Sequence, residues 1–245
     1  MSVFITFEGG DGSGKSTQAK LLYNHLIDAG YLTKLIHEPG ATNYGQALRN
    51  ILLERPEHQD FRISPRAQVL GFCSARAQLV AEIAKPFLKE TNAILISDRY
   101  SDSTIAYQVF GLGLVNYQKE ILSILDFATQ GLKPDLTIFL DLDPEEALRR
   151  TKGRLKQSSE PYVFQPEQQL SYLDSNQFDR KSLFFHKSVK KGYEWAMSRA
   201  PDRWVRISAE RPIDEIQKLV ATAVQKVLEK SNVKSEVKEK KLLKK

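Results

Sequence analysis

Residues Gly9-Gly10-Asp11-Gly12-Ser13-Gly14-Lys15-Ser16-Thr17 decide the fold of this chain. The spacing fits G-x-x-x-x-G-K-[ST]. The run lies between an apolar stretch, Val3–Phe7, and a helical pattern with Ala19, Leu22, Leu26 and Ala29. Strand, glycine loop and helix in that order make a cradle for phosphate. The glycines let the backbone turn successive N–H groups inward around an anion. The helix beginning near Lys15 adds its positive N-terminal end. Lys15 supplies a mobile charge for β- and γ-phosphates, and Ser16 offers a hydroxyl to Mg²⁺. Gly9 to Thr17 are therefore expected to bind a nucleoside triphosphate. The loop names no reaction by itself, because kinases, switch GTPases and motor ATPases share it.

Working outward, four further short runs repeat the strand pattern: Lys34–His37, Ile94–Ser97, Leu136–Leu140 and Trp204–Ile207. Several are continuously apolar rather than alternating, as in parallel strands covered on both faces. Helical patterns lie between them. Pro65–Glu90 carries Val69, Phe72, Leu79, Ile83 and Phe87. Pro144–Lys152 is entered through Asp-Pro-Glu-Glu, and Ile213–Lys230 is amphipathic. The alternation predicts a three-layer αβα fold of the P-loop NTPase type, with a five-stranded parallel sheet over residues 1–229. Gln157–Gln177, rich in Gln, Ser and Pro, reads as a mobile loop or insertion.

Composition narrows the partners. The chain has 245 residues, 41% of them apolar and 27% charged, which suits one globular domain. No apolar run approaches the length of a membrane span, and no signal-peptide pattern opens the chain. Cys73 is the single cysteine, which excludes an intrachain disulfide and points to a reducing compartment, the cytosol. Of the net charge of +6, about +5 falls on Lys230 to Lys245, with seven lysines against two glutamates. The rest of the chain is nearly neutral. The basic stretch therefore reads as a solvated, disordered tail over 230–245, and nucleic acid is not an expected partner.

The third strand run ends in Asp98-Arg99-Tyr100. An acid at the carboxyl end of a buried strand lies beside the phosphate loop in this architecture and is placed to hold Mg²⁺ through water. The alternative is an ordinary strand-to-loop acid. Arg99, next to it, is suited to clamp an acceptor phosphate bidentately. Phe72 and Arg76 stand four apart and share a helix face. On spacing alone Phe72 fits equally a core position beside Val69 and Leu79, and Arg76 a solvated surface.

Four stretches carry a closer resemblance: Phe7-Glu8-Gly9 before the loop, Glu38-Pro39-Gly40, Asp98-Arg99-Tyr100-Ser101-Asp102-Ser103, and Pro134-Asp135-Leu136-Thr137 leading to Leu140-Asp141. With these the chain resembles the bacterial thymidylate kinases from about residue 3 to 228. Asp-Arg-Tyr-x-x-Ser is the most specific of the four. The resemblance implies a kinase moving the γ-phosphate of ATP onto dTMP with Mg²⁺, in the cytosol, as a homodimer. It implies that Phe72 stacks on thymine, that Arg76 and Gln108 read the base, and that Tyr107 crowds the 2′ position. Ser103 and Thr104 line the nucleotide. Asp11 touches the 3′-hydroxyl, and Arg49 and Arg99 hold the acceptor phosphate. Glu38 organises its loop. Lys15 and Arg99 act on the moving phosphoryl, with Ser16 and Asp98 on the metal. Gly12 stands where some relatives carry an arginine. The missing charge is then expected from the lid, about 149–180, where Arg149, Arg150 and Arg154 are candidates and Arg154 is preferred. Two positions depart from the pattern: His37 replaces a common arginine and Ala41 a common glycine. About twenty extra residues, 156–175, precede Asp179-Arg180.

Two other readings compete. One is a kinase for a different nucleoside or nucleotide acceptor. The other is a nucleotide-dependent switch or DNA-associated ATPase, against which stands the lack of a guanine-selecting Asn-Lys-x-Asp stretch.

Overall fold

The computed structural model describes residues 1–53, 63–157 and 182–235. Five strands form one parallel sheet: β1 (Val3–Gly9), β2 (Thr33–His37), β3 (Ile94–Asp98), β4 (Leu136–Asp141) and β5 (Trp204–Ser208). Their order across the sheet is β2-β3-β1-β4-β5. In register, Phe7 of β1 lies beside Asp98 of β3 and Ile138 of β4. The expected strands are all present, each within two residues of its predicted ends. The continuous apolar runs are the central strands: every residue of β1 and β3 is buried. The edge strands β2 and β5 mix buried and exposed positions, because water reaches them.

The two faces are covered by different helices. Val3, Ile5 and Phe7 pack with Leu22 and Leu26 of α1 (Lys15–Asp28) and with Val220 and Val224 of α9 (Ile213–Lys230). On the other face Phe139 meets Phe185 and Tyr193 of α8 (Leu183–Arg199) and Cys73 of α3 (Pro65–Leu79). Each large side chain so buried contributes about 1.5–3 kcal/mol before entropy is counted.

Helix boundaries differ from the sequence pattern in instructive ways. The predicted Pro65–Glu90 helix is α3, then a π-helical turn over Val80–Ala84, then α4 (Lys85–Leu88). Pro86 has no N–H and its ring opposes the carbonyl four residues back, so the wider turn lets the chain continue. The helix starting at Pro144, α7, runs on to Gln157. Helices α2 (Asn43–Leu52), α6 (Gln118–Thr129) and α8 were not delimited from the sequence, although each buries one face: Gly45, Arg49 and Leu52 in α2, Ile121, Leu125 and Ala128 in α6, and Phe185, Val189 and Tyr193 in α8. After β3, α5 (Ser101–Thr104) passes into a π-helix over Ile105–Gly111, against which α8 lies. Gly192 permits that contact: a Cβ there would come within 2.6 Å of Ala106 Cα. The predicted insertion at 156–175, Asp179-Arg180 and most of the tail lie outside the described residues.

Candidate active site

The loop between β1 and α1 has the form its sequence implies. Gly14 caps α1 in a left-handed conformation, φ +86°, and α1 starts at Lys15. The Lys15 ammonium turns back over the loop, 2.8 Å from the Gly10 carbonyl. Gly12, at φ +77°, is covered by α7: an added Cβ would sit 3.2 Å from the Ala147 carbonyl oxygen. The start of the lid helix is thus packed on the phosphate loop itself.

Asp98 ends β3 beside the loop. Ser16 donates its hydroxyl to Asp98 Oδ2 at 2.5 Å, while Asp98 Oδ1 is buried with no partner among the described residues. Two side chains from different elements therefore converge, with one carboxylate oxygen left over.

Arg99 follows in a left-handed conformation, φ +70°, its backbone N–H bonded to the Phe7 carbonyl at 2.9 Å. This turn sends the side chain across the end of β1. Nη2 donates to Asp11 Oδ1 at 2.5 Å and to the Tyr107 hydroxyl at 3.1 Å. Nη1 donates to Gly9 O, Ser103 Oγ and Tyr193 Oη at 3.1–3.2 Å. Burial alone would lower the Arg99 pKa. Tyr107, Tyr193, Asp11 and Asp98 together outweigh burial and hold it well above its ordinary value.

Beside this arginine lies a half-open cleft. All ten residues expected around the acceptor line it: Asp11, Glu38, Arg49, Phe72, Arg76, Arg99, Ser103, Thr104, Tyr107 and Gln108. Lys15, Ser16 and Asp98 complete its phosphate end. Phe72 is half-buried and packs against the core under α3 while it also lines the cleft.

Arg76 is not a surface charge. It is 2% exposed, and its Nε donates to Glu38 Oε2 at 2.7 Å. Nη1 reaches Thr104 Oγ1 and Nη2 the Tyr100 carbonyl, both at 3.1 Å. Burial raises the Glu38 pKa, against the pull of Arg76. Arg49 Nη1 holds the Pro39 carbonyl at 3.1 Å, which braces the Glu38-Pro39-Gly40 loop. Ala41, where glycine was the common residue, adopts φ +58°.

The lid candidates are only partly described. Arg149 is exposed and pairs with Glu146 at 2.6 Å. Arg150 shares the same carboxylate at 2.8 Å and donates to the Ala209 carbonyl at 3.2 Å. The hydrogen bonds of these two arginines pull the Glu146 pKa down to about 2. The Arg154 side chain lies outside the described residues.

Sequence reasoning missed two residues of this site. Glu8 and Tyr193 are buried directly behind Arg99, and Tyr193 Oη lies 3.0 Å from Glu8 Oε2. An acid inside an apolar strand run was the available signal for Glu8. Tyr193 gave none, since it is 94 positions from Arg99.

A glycine loop of this form at the end of β1, faced by an arginine-floored cleft, is the arrangement of a P-loop phosphotransferase. Residues 7–220 match the family model described as thymidylate kinase. A thymidylate kinase of Roseiflexus castenholzii is 39% identical over 228 residues, 93% of this chain and 95% of its own. One of Herpetosiphon aurantiacus is 39% identical over 232 residues, 92% and 96% of the two chains. The crystal structure of thymidylate kinase from Ehrlichia chaffeensis superposes with a TM-score of 0.67 at 28% identity, covering 91% of this chain and 98% of that one. The chain belongs to the thymidylate kinase family.

Proposed function

We propose that this chain transfers the ATP γ-phosphate to dTMP, giving dTDP and ADP for dTTP synthesis, with the residues above in the following roles. The observation that carries the assignment is the single cleft joining Lys15, Ser16 and Asp98 to Phe72, Arg76 and Gln108. The acceptor phosphate is already an anion at neutral pH, so no general base is required. Catalysis is then positioning and charge neutralisation. Lys15 swings from Gly10 O to the transferring phosphoryl. Arg99 exchanges Asp11 for the acceptor phosphate, which frees the Asp11 carboxylate for the 3′-hydroxyl. Phe72 supports thymine, Gln108 reads its edge, and Tyr107 crowds the 2′ position. Arg76 approaches the base from a scaffold fixed by Glu38.

The residues fit a hard divalent cation. Ser16 Oγ and Asp98 would hold Mg²⁺, and the buried unpartnered Asp98 Oδ1 is the oxygen that gains a partner. Among the described residues no group of three or more His, Cys, Asp or Glu side chains could hold a metal alone. That suits an ion whose remaining ligands are water and substrate phosphates. When bound, it supplies neutralisation of phosphate charge. The lid, about 149–180, contributes one arginine, and Arg154 is the preferred one.

The chain is further read as a cytosolic homodimer. Among the described residues no helix is long and apolar enough to cross a membrane. Ile51, Leu70 and Phe127 are exposed on α2, α3 and α6, which pack together, and their apolar surface supports pairing with a second copy. Sedimentation at micromolar concentration should give about twice the 27.9 kDa chain mass, and a monomer would refute it.

A coupled assay across dTMP, dUMP, UMP and thymidine tests the substrate assignment. The expected order places dTMP first by at least about tenfold in kcat/KM. Preference for thymidine would remove the reading.

A further inference from the structure

Glu8 has no role in the scheme above, yet it is fully buried at the end of β1. Its Oε1 accepts the Tyr100 backbone N–H at 2.8 Å. Its Oε2 accepts the Ser103 hydroxyl at 2.6 Å and lies 3.0 Å from the Tyr193 hydroxyl. Those two hydroxyls are the ones that meet Arg99 Nη1, at 3.2 and 3.1 Å, and they stand 3.0 Å from each other.

Counting hydrogens constrains this network, in which Arg99 Nη1 shares two hydrogens among Gly9 O, Ser103 Oγ and Tyr193 Oη. A guanidinium only donates, so Ser103 Oγ and Tyr193 Oη must present lone pairs to Arg99. Each hydroxyl owns one hydrogen, which must therefore leave in another direction. Glu8 Oε2 is the acceptor common to both. The Gly9 carbonyl, which also accepts from Arg99, has a second lone pair for Tyr193 Oη at 3.2 Å, but Glu8 Oε2 is nearer, at 3.0 Å, and carries the charge. With the Tyr100 N–H fixed on Oε1, the carboxylate cannot turn. Burial, helped by the Asp102 carboxylate, lifts the Glu8 pKa to about 7, while Arg99 and the Ser103 and Tyr100 hydrogen bonds pull it down. Burial outweighs these donors, so the hydrogen-bond directions given are those of the carboxylate, the form that prevails above pH 7.

We propose that Glu8 is a positioning residue: by drawing the hydrogens of Ser103 and Tyr193 to itself, it turns both oxygens toward Arg99 and fixes that guanidinium for the acceptor phosphate. Tyr193 is the second member of the relay. Through it α8, the helix that follows the lid region, becomes part of the phosphate site. The proposal rests on Arg99 holding the acceptor phosphate.

Glu8→Gln is the sharpest test, because the shape is kept and the polarity is not. The Tyr100 N–H requires the amide oxygen on its side, so the amide NH₂ faces the two hydroxyls. They must then accept from it, and their hydrogens turn toward Arg99. Binding of dTMP and of thymidine, which lacks the phosphate, is measured by calorimetry on the full chain at pH 8, above the Glu8 pKa of about 7. In Glu8→Gln and in Tyr193→Phe, dTMP should weaken about tenfold while thymidine stays within about twofold, and the double variant should lose less than the product of the two single losses. Equal weakening of both ligands, or no change in either, would overturn the relay. If Glu8→Gln does not fold, Tyr193→Phe alone carries the comparison. A wild-type protein that binds dTMP no better than thymidine would overturn the acceptor assignment first, and the relay with it.

Discussion

Glu38 and Arg76, thirty-eight positions apart, form an ion pair at 2.7 Å whose side chains are 5% and 2% exposed. The pair joins α3 to the loop after β2 and continues to Thr104 and the Tyr100 carbonyl. Arg76 therefore faces the cleft and braces its wall at once. Removing one partner strands the other charge away from water. Arg76→Ala and Glu38→Ala should each cost about 3–5 kcal/mol of stability, read from urea unfolding, besides any loss of dTMP affinity. A cost under about 1 kcal/mol would show that the pair is solvated and the wall independent of it.

Gly12 and α7 make a second prediction. The residue has φ +77°, and a Cβ would press on the Ala147 carbonyl at 3.2 Å, with Arg150 and Thr151 just beyond. Gly12→Ala should therefore destabilise the fold by about 1–3 kcal/mol and lower the affinity for ATP, as measured by thermal unfolding with and without nucleotide. An arginine at this position, as in some relatives, has no room unless α7 moves away. Unchanged melting in Gly12→Ala would show that α7 does not rest on the loop.

His37 gives a pH dependence of known sign. Burial first, then Arg49, lowers its pKa to about 4, against the pull of Asp98. The unfolded chain takes up that proton near 6.5, the native chain only near 4. The contribution is thus complete above pH 6.5 and is lost as pH falls toward 4. Glu8, raised to about 7, acts with the opposite sign between 7 and 4.5, so the absolute slope is uninformative and the difference between variants is the readout. Between pH 6.5 and 4, His37→Gln should lose about 2–3 kcal/mol less stability than the wild type. Parallel curves would mean that His37 titrates normally.

How much of this was legible follows the range of each interaction. Lys15, Ser16 and the loop glycines were readable because their geometry is set within nine consecutive residues. Asp98 was readable because a buried strand delivers its last side chain to a fixed place. Arg99 was placed beside Asp98, but nothing local showed that its left-handed backbone would send it to Asp11 and Tyr193. Arg76 carried the opposite lesson: on spacing alone a polar helix face suggested solvent, and the burial that contradicts this comes from Glu38, supplied by a distant loop. The hold of Glu146 on Arg149 and Arg150 lies at helical spacings of three and four. That hold could have been read from the sequence and was not. Helix α8 was missed as an element although Phe185, Val189, Tyr193 and Ala196 recur at helical spacings of four, four and three, with Lys187 and Lys191 exposed on the other side; that signal was present and was not read.

The account stands most directly on the fate of the terminal phosphate of ATP. With γ-labelled ATP and dTMP, the label should appear in dTDP in a one-to-one ratio with ADP. Without dTMP, ADP should form at no more than about one hundredth of that rate, and Lys15→Ala should lower dTDP formation by at least about a thousandfold. ADP released at the same rate with or without dTMP, or a Lys15→Ala protein that still labels dTDP at the wild-type rate, would contradict the assignment of donor and acceptor to this one cleft.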